Sequence, residues 1–240
     1  MSEHIQNNIR SFQQKIFEIA MRCKRDPNDI ELIAVSKYHN TESVKKAYQA
    51  GCVNFGENYL QEWKEKSTQL EEEPLSNIKW HIIGNLQKNK VKFLNSKVYC
   101  LQSLDSLELA KEIEKKCLFN LPLRVLVQLQ IDFQDTNKFG ATIEHAKNIC
   151  EFVGSSKKMV LQGFMGIGPA ECNEEKRKDL YFSFTEKSKI LWQEYNTQRL
   201  QKPIISLGMS SDYAIAIECG STMLRIGTAI FGTRKNNKVT

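Results

Sequence analysis

A lysine set just past an apolar run, Ser36-Lys37-Tyr38-His39, is the first place in this 240-residue chain where side-chain chemistry gathers. If Ile30–Ser36 is a strand, Ile33, Val35 and Lys37 share one face. Turned into a barrel, that face sets the ammonium among apolar walls. Desolvation there lowers its pKa and makes the amine a nucleophile toward an aldehyde. Without that setting, Lys37 is one more solvated lysine. Two segments near the end of the chain have a matching character, Ser206-Leu207-Gly208-Met209-Ser210-Ser211-Asp212 and Arg225-Ile226-Gly227-Thr228. Ser210-Ser211 precedes a helix beginning near Asp212, and Gly227-Thr228 opens the last helix, so hydroxyls and unpaired backbone N–H groups converge. Either loop alone reads as a helix cap with glycines fitted to a tight turn. The adjacent pair reads as a phosphate clamp. Met223, Arg225 and Gly227 alternate onto one face, and an inward arginine needs an acceptor, because it carries only donors and keeps its charge.

These residues need a scaffold that brings strand ends together. Ile5, Ile9, Phe12, Ile16, Ile19 and Cys23 recur every three or four residues, which predicts an opening amphipathic helix. Short apolar runs follow at 30–36, 52–56, 79–83, 97–101, 123–131, 159–165, 203–207 and 222–226, the pattern of buried parallel strands. Helical stretches lie between them near 42–50, 57–69, 87–95, 106–118, 143–153, 174–199 and 212–219. Asn40-Thr41 is a helix start and Gly51 a stop, and Asp105 with Glu108 reads as a capping box. In the 174–199 helix, Leu180, Phe184, Leu191 and Tyr195 align on one face. The alternation predicts an α/β fold, a single (β/α)8 TIM barrel preceded by an N-terminal helix. One domain is expected over 1–240, with its first helix in 1–25 and a polar tail at 233–240. In such a barrel the active site lies at the carboxyl ends of the strands. There the sequence sets Phe55-Gly56-Glu57-Asn58, His81-Ile82-Ile83-Gly84-Asn85, Asp135-Thr136-Asn137-Lys138-Phe139-Gly140 and Gly163-Phe164-Met165-Gly166.

Composition narrows the classes. The net charge is +6, but the lysines are scattered and no run reads as a nucleic-acid arm; the acidic Glu71-Glu72-Glu73 stretch is a solvated loop. Seven cysteines show no CxxC spacing and four histidines no HxxxH pair, so free thiols in a reducing compartment are expected and a zinc site is not. The polar start MSEHIQNNIR has no signal core, and no apolar run spans a bilayer. A cytoplasmic location is expected.

Longer stretches resemble the pyridoxal phosphate homeostasis protein family, whose fold is similar to the barrel domain of alanine racemase. The markers are Ala34-Val35-Ser36-Lys37, Phe55-Gly56-Glu57-Asn58-Tyr59, Trp80-His81-Ile82-Ile83-Gly84-Asn85-Leu86-Gln87, Ser206-Leu207-Gly208-Met209-Ser210 and, most specific, Gly220-Ser221-Thr222-Met223-Leu224-Arg225-Ile226-Gly227-Thr228-Ala229-Ile230-Phe231-Gly232. The resemblance implies pyridoxal 5′-phosphate held as a Schiff base on Lys37. Ser210, Gly227 and Thr228 would hold the phosphate, Arg225 would face the pyridine nitrogen, Asn58 and Met165 would lie beside the ring, and Ser206 would belong to the same cofactor-binding set. Lys138 matches a lysine near the cofactor mouth. Two segments depart from the family pattern: Tyr38-His39-Asn40, where a small residue, a basic one and a proline are expected, and Gly166-Ile167-Gly168-Pro169, where an alanine is expected before the isoleucine.

An arginine opposite the pyridine nitrogen keeps it unprotonated, and an unprotonated ring is a weak electron sink. Racemases of this arrangement add a second base from another domain, whereas only TRKNNKVT follows Gly232 here. The expectation is a monomeric, non-catalytic carrier that binds pyridoxal phosphate and supplies or buffers it for apo forms of the enzymes that use it, with no nucleic-acid or membrane partner. The alternatives are a low-activity racemase-like enzyme with Lys37 as base, and a cofactor-free barrel enzyme acting on a sugar phosphate.

Overall fold

The structure, a computed structural model, describes residues 2–71, 73, 75, 77–132, 140–196 and 201–232. Eight parallel strands, β1 (Glu31–Val35), β2 (Asn54–Glu57), β3 (Lys79–Ile82), β4 (Val98–Leu104), β5 (Leu123–Leu129), β6 (Met159–Gly166), β7 (Ile204–Ser206) and β8 (Met223–Ile226), pair in sequence order. The barrel closes where β1 meets β8, with Ile33 opposite Arg225 and Ala34 opposite Ile226. Helices α1 (Ser2–Arg22), α2 (Thr41–Gln49), α3 (Leu60–Gln69), α4 (Leu107–Lys116), α5 (Ile143–Ser155), α6 (Glu174–Tyr195), α7 (Tyr213–Glu218) and α8 (Thr228–Phe231) complete the order. This is the expected (β/α)8 barrel.

The apolar periodicity dictates the packing. Ile5, Ile9, Phe12, Ile16 and Ala20 form the buried stripe of α1, which lies against α2, α7 and α8. On α6, Phe184 and Leu191 are buried with Tyr181 and Trp192, while Leu180 and Tyr195 pack at the margin of the same core. Two local expectations change. Residues 88–93 form 3-10 turns where a helix was expected over 87–95, since the alternating lysines of Lys88-Asn89-Lys90-Val91-Lys92-Phe93 leave Val91 as their only buried residue. The cap of α4 is Ser106, whose hydroxyl accepts from the Leu109 N–H, and Asp105 instead accepts from the Asn85 amide. The helix expected to begin near Asp212 does so: Asp212 is the N-cap residue of α7, and its carboxylate accepts from the Met209 N–H. The end of the expected 174–199 helix and the 233–240 tail include positions outside the described residues.

A large core fills the space between strands and helices, and a smaller one fills the barrel itself: Ile33, Val35, Cys100, Leu126, Met165 and Met223. The inward alternation of Ile33, Val35 and Met223 is as the strand period requires. Buried polar groups share this interior, namely Asn54, His81, Gln102, Ser206 and Arg225. That is unusual content for a barrel normally packed with branched apolar side chains.

Candidate active site at the barrel mouth

Lys37 sits two residues beyond β1, in a turn whose next residue, Tyr38, takes the left-handed conformation at φ 66°. Such a backbone state is costly for an aromatic residue and needs external support. That support is a buried ion-pair cluster. The Lys66 ammonium, 5% exposed, donates to the Ser36 carbonyl, to Glu57 Oε1 and to Glu62 Oε1, each at 2.7 Å. Ser36 Oγ donates to Glu57 Oε1 at 2.6 Å, and the Tyr38 N–H donates to Glu62 Oε1. The residues before and after Lys37 are therefore both tied to one lysine–carboxylate network reaching from α3. Burial pushes the Glu57 carboxyl up to about 7, against the pull of Lys66 and Ser36.

The segment that departs from the family pattern has its own local roles. The Tyr38 hydroxyl meets that of Tyr59 at 2.9 Å, His39 stacks on Phe231 at 4.9 Å, and the Asn40 side chain caps α2 by accepting from the Ser43 N–H. The other departing segment, after β6, carries a steric demand: a Cβ on Gly168 would lie 2.1 Å from the Tyr181 hydroxyl.

The loops after β7 and β8 meet beside this turn. A Cβ on Gly227 would stand 3.4 Å from the Val35 carbonyl, so the β8 loop lies against the end of β1. Ser210 Oγ accepts from the Ala229 N–H at 3.4 Å, linking the β7 loop to the first turn of α8, which Thr228 opens. The β7 loop is held from below by Asp212, whose Oδ1 accepts from the Met209 N–H and Oδ2 from the Tyr181 hydroxyl at 2.8 Å, with Arg177 at 3.4 Å. Gly208, at φ 98°, gives the turn its left-handed residue.

Arg225 is 5% exposed at the carboxyl ends of β6 and β7. Its Nη1 donates to the Ser206 carbonyl and to Ser206 Oγ, and its Nη2 to the Gly166 carbonyl, all at 2.7 Å. Three of the five N–H bonds of a guanidinium are thus engaged, leaving two among the described residues. Burial lowers its pKa to about 10, so the group stays charged. Ser206 is fully buried, with its hydroxyl between Arg225 and Gln102. Met165 is buried in the interior cluster beside Val35 and Met223. Asn58 is partly exposed at the end of β2, and the Gly84 backbone approaches it so closely that a Cβ there would sit 2.3 Å from the Asn58 carbonyl. Lys138 and positions 135–137 and 139 of its loop lie outside the described residues.

The donor set is one-sided: an amine at Lys37, a guanidinium at Arg225, hydroxyls at Ser210 and Thr228, and backbone N–H groups around Gly227. Of the carboxylates here, Glu57 Oε1, Glu62 Oε1 and both oxygens of Asp212 accept from donors of the protein. Such a mouth suits a ligand rich in hydrogen-bond acceptors.

The profile of the family described as "Alanine racemase, N-terminal domain" matches residues 2–235. The pyridoxal phosphate homeostasis protein of Haemophilus influenzae is 35% identical over 232 residues, covering 96% of both chains. The protein of that name from Escherichia coli K12 is 34% identical over 98% of each. The chain belongs to the pyridoxal phosphate homeostasis protein family. Among solved structures, PipY of Synechococcus elongatus with pyridoxal phosphate bound is 27% identical at a TM-score of 0.78, covering 95% of this chain and 100% of that one. The likeness to alanine racemase of Enterococcus faecalis, 20% identical at a TM-score of 0.63, is one of fold and spans 58% of that racemase. Family membership accounts for the barrel and for the markers quoted from the sequence. The Lys66 cluster, the Asp212 pin and the polar interior come from the structure. Sequence reading passed over all three, although Glu62 and Lys66 stand four residues apart on a helix, a spacing that brings side chains together.

Proposed function

We propose that the chain binds pyridoxal 5′-phosphate at the barrel mouth, anchored through Lys37, and holds it for delivery to other proteins without turning over amino acids. The observation that carries this reading is the buried guanidinium of Arg225 at the strand ends, with N–H groups left over and Lys37 on the neighbouring side of the barrel seam. When bound, pyridoxal phosphate supplies an aldehyde that condenses with a lysine amine with loss of water, and a ring that withdraws electrons. The chain's residues divide the work. Lys37 supplies the amine, in a turn held by Lys66 at Ser36 and by Glu62 at Tyr38. Ser210, Gly227 and Thr228 offer hydroxyl and backbone donors to the phosphate. Arg225 would donate to the ring nitrogen and, having no acceptor to offer a pyridinium N–H, would keep that nitrogen unprotonated. Met165 and Asn58 bound the ring, and Ser206 fixes Arg225.

An unprotonated ring favours storage over carbanion chemistry, which fits the name homeostasis protein borne by the relatives. A cytosolic monomer that passes the cofactor to apo enzymes completes the reading, with Lys138 assisting exchange. No helix among the described residues is long and apolar enough to cross a membrane. The alternative, a weak racemase-like activity with Lys37 as base, draws on the likeness of fold to alanine racemase. The test is to add pyridoxal phosphate to the purified protein, record the visible spectrum, and then follow deuterium uptake at the α-carbon of a panel of amino acids. A stoichiometric band abolished by borohydride, with no uptake above free cofactor, is expected. Absence of the band overturns the cofactor reading; rapid uptake replaces the carrier with an enzyme.

A further inference from the structure

The polar groups inside the barrel form one continuous line. Arg225 Nη1 donates to Ser206 Oγ at 2.7 Å, and Ser206 Oγ donates to Gln102 Oε1 at 2.7 Å. Gln102 Nε2 lies 3.0 Å from His81 Nδ1 and also touches Met223 Sδ at 3.2 Å. His81 Nε2 lies 3.2 Å from Asn54 Oδ1, and Asn54 Nδ2 donates to Glu31 Oε2 at 3.4 Å. Glu31 begins β1, at the amino end of the barrel, so the line runs from the mouth to the opposite face.

Its two ends determine its direction. An arginine only donates and a carboxylate only accepts. Ser206 Oγ therefore receives from Arg225 and gives its single proton to Gln102 Oε1. The Gln102 amide must then point its nitrogen at His81, which leaves Nδ1 bare and places the imidazole proton on Nε2. That proton goes to Asn54 Oδ1, and the Asn54 amide nitrogen donates to Glu31. With a neutral imidazole every donor faces away from Arg225, and no other arrangement of the neutral ring satisfies all five links. His81 has to be neutral for this to hold. Burial, followed by the facing charges of Lys79 and Arg124, lowers its pKa to about 3. Polar side chains in an interior that apolar ones fill at no desolvation cost call for a use.

We propose that Ser206, Gln102, His81 and Asn54 are positioning residues that orient the Arg225 guanidinium toward the ligand's ring nitrogen, so that binding at the mouth is felt at His81 in the middle of the barrel. This rests on the reading that Arg225 faces a pyridine nitrogen. A side chain three links away then contributes to affinity without touching the ligand.

The direct test is the imidazole nitrogen spectrum of histidine-labelled protein, with His81 assigned through His81→Gln. In the free protein the His81 signals should be those of the neutral Nε2–H tautomer and should not titrate between pH 8 and 5. Adding pyridoxal phosphate should displace them. Gln102→Met, which cuts the line while keeping the volume, should weaken pyridoxal phosphate binding about tenfold and shift the visible band. If that variant fails to fold, a second pair decides. His81→Gln accepts and donates in the same order and should keep the wild-type band and affinity, whereas His81→Leu should lose about tenfold. An Nδ1–H tautomer overturns the relay, and so do unmoved His81 signals in the ligand-bound protein or equal affinities for His81→Gln and His81→Leu. Absence of any borohydride-sensitive band in the wild type overturns the cofactor reading itself, and the relay's role with it.

Discussion

Replacing Lys66 by methionine tests what holds the Lys37 turn. The ammonium is shared among the Ser36 carbonyl, Glu57 and Glu62, and only Ser36 Oγ remains as a donor to Glu57 once it is gone. Glu57 is fully buried, and its Oε2 has no partner among the described residues. Breaking a buried pair by removing one partner costs roughly 3–5 kcal/mol, so Lys66→Met should lose about 4 kcal/mol where Glu57 is ionised. The loss depends on pH, and its sign follows from the carboxyl. The Glu57 pKa is raised in the folded protein from 4.5 to about 7. Its contribution to stability is therefore complete below the unfolded value and declines as pH rises through the folded one. Without Lys66 the folded pKa rises further, so the variant goes on losing stability at pH values where the wild type has levelled off. At pH 5.5 Glu57 is protonated in either folded protein, and the loss is that of the bonds from Lys66 to Ser36, to Glu62 and to a neutral Glu57 carboxyl, about 2 kcal/mol. Urea unfolding at pH 5.5 and 8.5 measures the difference, and the larger loss should appear at pH 8.5. Equal losses at the two pH values would refute the buried, titrating carboxyl; no loss at all would refute the ion pair.

Other outcomes follow from the same coordinates. Gly84→Ala drives a Cβ into the Asn58 backbone, with contacts of 2.3 and 2.7 Å, and should cost about 3 kcal/mol, read as a Tm lower by roughly 6–12 °C; an unchanged Tm would mean that the β2 and β3 loops do not touch. His81 has its folded pKa depressed from 6.5 to about 3, so its contribution is present above pH 6.5 and is lost as pH falls toward 3. His81→Gln should therefore gain stability relative to wild type on acidification from pH 6.5 to 4.5, by up to about 1.4 kcal/mol per pH unit in urea titrations; parallel pH curves would show that His81 titrates normally. Arg225→Glu would turn a carboxylate toward the carbonyls of Ser206 and Gly166, and should destabilise the fold by at least about 3 kcal/mol in the same assay. Wild-type stability in that variant would mean that these bonds are not formed.

The barrel was legible because its signals are local and repeated. Each short apolar run between helix caps marks one strand, and eight of them in alternation with helices suit a closed sheet. Lys37, Ser210, Arg225 and Gly227 were legible for the same reason: their strand-end positions follow from period and order. The residues that were missed act across the fold. Lys66 reads as a surface lysine on a polar helix until β2 brings Glu57 beneath it, 0% exposed. Asp212 reads as a helix cap until Tyr181, thirty-one positions away, supplies a hydroxyl. Gln102 and Ser206 are 104 positions apart, and no spacing rule connects them. Local periodicity tells which face a side chain occupies, but not which side chain from another strand it will meet. The 3-10 turns at 88–93 show the same limit, since a basic segment with a single buried valine carries no clear period.

The central claim is that Lys37 is the amine that anchors pyridoxal phosphate. The direct measurement is borohydride reduction of the protein with added pyridoxal phosphate, followed by proteolysis and peptide mass analysis, with Lys37→Ala run in parallel. A pyridoxyl mass on the peptide carrying Lys37, near one per chain, and its loss in Lys37→Ala while the fold and weak non-covalent binding persist, is the predicted result. Stoichiometric label on another lysine, with Lys37 unmodified, would contradict it.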